Sequence, residues 1–153
     1  LKALSLNFSN WEIRTEIKGD DLYIFDPLRS KFVKCTPEEE VRQWLILYLC
    51  NSLSYPPKRI GVERQLNYNR RKKRFDLLVF DDFGKPLMLI ETKRPNQKLN
   101  QKALDQISVY NHIFRVPYLC LFNGLDLICC KVDELTKSYN FISALPHYES
   151  LTN

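Results

Sequence analysis

The sequence predicts a mixed α/β fold, a central sheet of parallel and antiparallel strands with helices on both faces. Three observations carry that prediction. The stretch 74–93, RFDLLVFDDFGKPLMLIETK, reads as two apolar strands around the turn Asp81-Asp82-Phe83-Gly84-Lys85-Pro86. Both faces of this hairpin are apolar, with Leu77, Val79, Met88 and Ile90 on one and Leu78, Phe80, Leu87 and Leu89 on the other. Each face therefore needs a covering layer. Finally, a segment of helical period at 99–115 leads to the apolar run Tyr118-Leu119-Cys120-Leu121-Phe122. A helical crossover of that length sets the run parallel to 87–93.

The chain has 153 residues, enough for one domain (1–153) with a substantial core, expected over about 36–132. A formal charge of +5 permits nucleic acid as a partner without demanding it. Five cysteines, at 35, 50, 120, 129 and 130, show no CxxC or Cys/His spacing that would suggest zinc. They read as buried free thiols. No apolar run approaches a membrane span and no secretory signal pattern opens the sequence, which makes cytoplasm the expected location. There is no GxxxxGK[ST] phosphate loop, hence no expectation of ATPase activity.

Residues 1–20 have mixed character and yield no firm element. Leu22–Phe25 and Lys31–Cys35, apolar runs around Asp26-Pro27, predict an accessory N-terminal hairpin. Thr36-Pro37-Glu38-Glu39 is a helix start: Thr36 caps, Pro37 takes the first helical position and Glu39 completes a capping box. Val41, Trp44, Leu45, Tyr48 and Leu49 continue at helical spacing until 51–54, ahead of Pro56-Pro57. Ile60, Val62, Leu66 and Tyr68 form one face of a strand. A basic turn, Arg70-Arg71-Lys72-Lys73-Arg74, leads into the hairpin. Ala103, Leu104, Ile107, Tyr110 and Phe114 line the crossover helix, and Asn123-Gly124 turns the chain from one buried strand into another at 127–130. Beyond Asp133 the pattern fades into a tail. The predicted order is helix, three antiparallel strands, helix, strand, strand.

With the hairpin turn centred between Phe83 and Gly84, Phe80 faces Leu87, Leu78 faces Leu89 and Asp76 faces Glu91. Alternation then projects Asp76, Glu91 and Lys93 from one side. Two opposed carboxylates, their Cβ atoms about 5 Å apart, repel each other unless something positive stands beside them. Mg2+ suits such a pair, because it accepts one or two protein carboxylates and keeps waters for the rest of its shell; Mn2+ shares the preference for oxygen. Lys93 would position or deprotonate an attacking water. Glu38, in phase with Val41 and Leu45, or Glu39 would add a carboxylate from the first helix. Gln106 and Tyr110 stand one turn apart on the second helix, in reach of a phosphate, a base or Lys93. Arg70, Arg71, Lys72 and Lys73 are candidates for DNA phosphates. Each feature also has a plainer reading: a solvated strand end, a capped helix, a polar helix edge, a solvated turn.

Taken together, TPEEEVRQ, GVERQL, KRFDLLVFD, LIETKRPN, LDQISVYN and PYLCLFNGL resemble the N-terminal nuclease domain of type I restriction enzyme R subunits, a branch of the PD-(D/E)xK nucleases, over about 22–132. The resemblance implies a restriction-endonuclease-like αβββαβ core and Mg2+-dependent hydrolysis of DNA phosphodiesters. It maps the family's catalytic set onto Glu38 (or Glu39), Asp76, Glu91 and Lys93, and its Gln-x-x-x-Tyr signature onto Gln106 and Tyr110. Phe75 stands where the superfamily name has Pro. Full R subunits also carry a motor, which this sequence lacks. The implied partners are DNA, a second copy in a homodimer, or separate motor and specificity subunits. The rival expectation is a DNA-binding or assembly module of the same fold that has lost turnover; it predicts salt-sensitive binding without cleavage.

Overall fold

The structure, a computed structural model, describes residues 4–5, 12–68, 71–136 and 138–152; for 4–5, 64–68, 71–73, 110 and 112–113 it describes the backbone alone. In chain order the elements are β1 (Leu4–Ser5), β2 (Thr15–Lys18), β3 (Asp21–Asp26), β4 (Lys31–Lys34), α1 (Pro37–Ser52), a 3-10 turn (Pro57–Arg59), β5 (Ile60–Tyr68), β6 (Arg71–Phe80), β7 (Pro86–Thr92), α2 (Gln101–Phe114), β8 (Tyr118–Phe122), β9 (Asp126–Asp133), β10 (Ser138–Phe141) and α3 (Tyr148–Thr152). The main sheet runs β1-β9-β8-β7-β6-β5, with β10 also pairing β9; β2, β3 and β4 form a separate antiparallel sheet. Strands β7 and β8 are parallel, as a crossover through α2 requires, while β5–β6, β6–β7 and β8–β9 are antiparallel. The expected αβββαβ order thus runs through α1, β5–β7, α2 and β8.

Alternation along the strands sorts the core into two layers. Leu77, Val79, Met88, Ile90, Cys120, Phe122, Leu127 and Cys129 pack with Val41, Leu45, Ile46 and Leu49 of α1. Leu78, Leu89, Leu119, Leu121, Ile128 and Cys130 pack with Leu104 and Ile107 of α2. Each fully buried aliphatic side chain contributes roughly 1.5–3 kcal/mol of burial free energy, so both helices are held by the sheet rather than by propensity. Thr36 caps α1, its Oγ1 accepting the Glu39 N–H at 3.1 Å, with Pro37 in the first turn. Asn100 caps α2 in the same way, accepting the Ala103 N–H at 3.0 Å. The helix stops at Arg115, in left-handed conformation, where the Asn111 amide holds both the N–H and the C=O of Val116.

Several expectations need correction. The N-terminal hairpin gains a third strand, β2, paired with β3 through Thr15–Ile24 to Lys18–Asp21. The basic run is no turn: Arg71 to Arg74 already belong to β6, paired from Tyr68–Arg71 to Gln65–Arg74, and Arg70 lies outside the described residues. Leu78 faces Leu89 as expected, but Phe80 pairs with Pro86 instead of Leu87, across a register shift after Val79. Pro86 has no N–H to give the ladder. The turn closes through Asp81 instead, whose N–H reaches Lys85 O and whose Oδ1 accepts the Phe83 and Lys85 N–H groups at 2.8 Å. Leu87 consequently lies in the α1 layer. The tail is ordered as well: Leu145, Tyr148 and Leu151 join the α1 layer, with the Tyr148 hydroxyl donating to Phe80 O at 2.8 Å.

Candidate functional site

Glu63 on β5, Asp76 on β6 and Glu91 on β7 stand at one level of the sheet. The β5–β6 ladder pairs Val62 with Leu77 and Arg64 with Phe75, which sets Glu63 against Asp76. The β6–β7 ladder pairs as far as Leu77–Ile90, which leaves Asp76 and Glu91 at the next step beyond it. The backbone is irregular here. Glu63 adopts φ 49°, a left-handed conformation costly for a residue with a side chain. Phe75 packs on Phe114 of α2 at 5.1 Å, whereas Leu77, two residues on, lies in the α1 layer. Side-chain alternation therefore changes phase at Asp76, and the strict alternation assumed from sequence does not hold there.

The Asp76 carboxylate is turned towards Thr92 and α1. Its Oδ2 accepts the Thr92 N–H at 2.7 Å and the Thr92 hydroxyl at 2.8 Å; its Oδ1 accepts Arg42 Nη2 at 3.2 Å. On β7, Lys93 Nζ lies 3.5 Å from Glu91 Oε1, with both side chains largely buried, and the Lys93 N–H is tied to Phe122 O at 2.7 Å. The positive charge demanded by opposed carboxylates is thus present in the protein itself, as Arg42 beside Asp76 and Lys93 beside Glu91.

The two helix glutamates divide. Glu38 sits at the rim, where its Oε1 accepts Arg94 Nε at 2.7 Å; that bond holds its carboxyl below the usual range. Glu39, only 8% exposed, is covered by the β3–β4 turn. Its carboxylate does not complete a capping box: Oε1 accepts Arg29 Nη2 at 2.7 Å and Gln43 Nε2 at 2.8 Å, and Oε2 accepts Arg42 Nη1 at 2.8 Å. The Thr36 N–H goes instead to Lys34 O. Glu63 joins the same network, meeting Arg29 Nη1 at 3.0 Å, Arg42 Nη1 at 3.2 Å and Arg74 Nη2 at 3.6 Å. Asp26, fully buried, binds Arg29 Nε and accepts the Leu28 and Arg29 N–H groups. Sequence reading missed Arg29, Arg42, Glu63 and Asp26. The residue types were visible, but the contacts span 34 positions for Arg42–Asp76 and for Arg29–Glu63, which no local pattern encodes.

Gln106 is exposed on α2, and the Tyr110 side chain lies outside the described residues, as do those of Arg71, Lys72 and Lys73. Among the described residues Asp76 Oδ1 accepts one hydrogen bond, and an oxygen of this kind has two lone pairs, which leaves one for a cation. Carboxylate oxygens such as those of Asp76 and Glu91 are the ligand type that Mg2+ takes, one or two from the protein with water and phosphate oxygen filling the shell. They do not fit an all-protein cage: among the described residues no group of three or more His, Cys, Asp or Glu is placed to hold a metal.

The family described as type I restriction enzyme R protein N terminus matches residues 37–146. A structure described as a fragment of an HsdR subunit of a type I restriction enzyme from Vibrio vulnificus YJ016 is similar at TM-score 0.47 and 18% identity, over 76% of this chain and 22% of that one. The chain thus spans about a fifth of the length of that relative. No curated protein matches the chain.

Proposed function

The chain belongs to the family of type I restriction enzyme R protein N termini, and from that premise we propose that it is a Mg2+-dependent endonuclease acting on DNA phosphodiester bonds. The observation that carries this reading is the level shared by Asp76 on β6 and the Glu91–Lys93 pair on β7. Asp76 and Glu91 would hold the ion, Mg2+ or Mn2+, with Glu38 or Glu39 assisting from α1. Bound there, the ion would lower the pKa of a water and neutralise charge growing on the phosphoryl oxygens. Lys93 has its ammonium anchored at Glu91, where it would orient the water and face the developing charge. Thr92 fixes Asp76 through two donors, so the carboxylate does not have to be ordered when substrate arrives. Gln106 and Tyr110 would support substrate from α2. Arg71, Lys72, Lys73 and Arg74, on β6 at the β5–β6 end of the sheet, would meet DNA phosphates, together with Arg70. DNA is the partner this reading calls for; a second copy, or further subunits carrying a motor or sequence specificity, are partners it allows without requiring them for cleavage.

Asp76→Ala, Glu91→Ala and Lys93→Ala should each abolish Mg2+-dependent plasmid cleavage by the wild-type chain while leaving its circular dichroism spectrum unchanged. Cleavage surviving all three would refute the mechanism. One observation favours the rival reading, a catalytically silent DNA-binding or assembly module: Arg42 already neutralises Asp76. That reading requires salt-dependent DNA binding and no cleavage by wild type at any Mg2+ or Mn2+ concentration.

A further inference from the structure

Residues 12–35 precede the matched segment 37–146, yet they reach the candidate site. The β3–β4 turn carries Arg29, whose guanidinium uses each of its three nitrogens on a different carboxylate: Nε on Asp26, Nη2 on Glu39 and Nη1 on Glu63. Glu39 and Glu63 each pass the contact on to Arg42, and Arg42 Nη2 ends the chain on Asp76 Oδ1. Asp26 and Arg42 are 0% and 5% exposed, so water cannot substitute for these partners. We propose that Arg42, and through it Arg29, are positioning residues that set the Asp76 carboxylate, which makes the three-stranded sheet β2–β4 part of the functional site. The inference rests on the nuclease reading above.

The network fits positioning better than simple bracing. Burying ions for stability alone is a poor bargain, because desolvation offsets most of the attraction. Here the network ends on one carboxylate, which Arg42 alone of its members touches, and both arginines meet Glu63, whose strained backbone stands opposite that carboxylate. A planar guanidinium is also the side chain required, since a lysine ammonium keeps the charge but cannot span three separated acceptors in a fixed fork. Arg42 makes the same use of its geometry, with Nη1 between Glu39 and Glu63 and Nη2 on Asp76.

The test compares the full chain with Arg29→Lys, Arg29→Gln and Arg42→Lys. Plasmid cleavage is measured across a Mg2+ series, alongside urea unfolding and duplex-DNA affinity in EDTA. The lysine variants keep the charge balance, so they remain informative should Arg29→Gln fail to fold. Arg29→Lys and Arg42→Lys should lower the maximal rate by about 10- to 100-fold and raise the Mg2+ concentration for half-maximal rate, with DNA affinity within about twofold of wild type. Lysine variants that cut like wild type at an unchanged Mg2+ requirement overturn the inference and leave the nuclease reading standing. A rate loss that only tracks the folded fraction does the same. A wild type inert at every Mg2+ concentration overturns the nuclease reading and this inference with it.

Discussion

Glu39 is buried among Arg29, Arg42 and Gln43, whereas its neighbour Glu38 stands at the rim and shares one hydrogen bond with the exposed Arg94. Breaking a buried ion pair by removing one charge costs about 3–5 kcal/mol, while exposed pairs contribute little. Glu39→Gln should therefore lower the urea-unfolding free energy by about 3 kcal/mol, and Glu38→Gln should leave it unchanged within error. Equal effects from the two would contradict the environments described. The sequence left these glutamates undivided for a physical reason. Helical phase puts Glu38 with Val41 and Leu45, but what buries Glu39 is not the sheet; it is the Arg29 turn, folded over α1 from ten residues away. Asp26 shows the same boundary. The Asp-Pro turn signal was legible, and Asp26 does accept two N–H groups of its own turn, yet its bond to Arg29 and the network beyond are tertiary.

At the scale of elements, the turn between β8 and β9 abuts the start of α1. Gly124 has φ 92°, and a Cβ there would stand 3.1 Å from Val41 Cγ2. Gly124→Ala should cost more than about 1 kcal/mol in denaturant unfolding, since both the left-handed backbone and the contact oppose it. A neutral substitution would mean that α1 is not seated against this turn. Helix starts, strand positions and the parallel crossover were legible because each has a local cause: Thr36 and Pro37, the alternation of Leu77 to Phe80, and the length of 99–115. Register at the β6–β7 hairpin was only partly so. Counting from the turn centre gave Leu78–Leu89 correctly, but missed the shift at Phe80 because Pro86 lacks an N–H and Asp81 closes the turn asymmetrically. The phase change at Asp76 is of the same kind. Its cause lies in the packing of Phe75 on α2 and in the Arg42 and Thr92 contacts, and it falls where the candidate chemistry is.

Across the whole molecule, the C-terminal segment closes the α1 layer. Its three anchors, Leu145, Tyr148 and Leu151, are too few and too short in span to declare a helix in sequence. No described helix is long and apolar enough to cross a membrane. The cysteines set a limit at alkaline pH. Cys35 and Cys50 are half-buried, not buried as expected; partial burial pushes the Cys50 thiol from 9.0 up to about 11, and burial pushes the Cys130 thiol up to about 12. Both folded values are raised, so unfolded thiols ionise first. Their contribution is fully present below pH 9.0 and is lost as pH climbs towards about 11–12. Urea midpoints should fall from pH 9 to 11, and less steeply for Cys50→Ala. A flat midpoint over that range would contradict burial of these thiols.

Ion binding at Asp76 is the centre of the functional account, and calorimetric titration of Mg2+ into wild type and Asp76→Ala, each with duplex DNA present, tests it most directly. Wild type should give a saturable heat that is lost in Asp76→Ala, with DNA nicking in the wild-type sample alone. Equal heats from the two proteins, or none from wild type, would contradict it and leave Asp76 as the partner of Arg42 and Thr92 only.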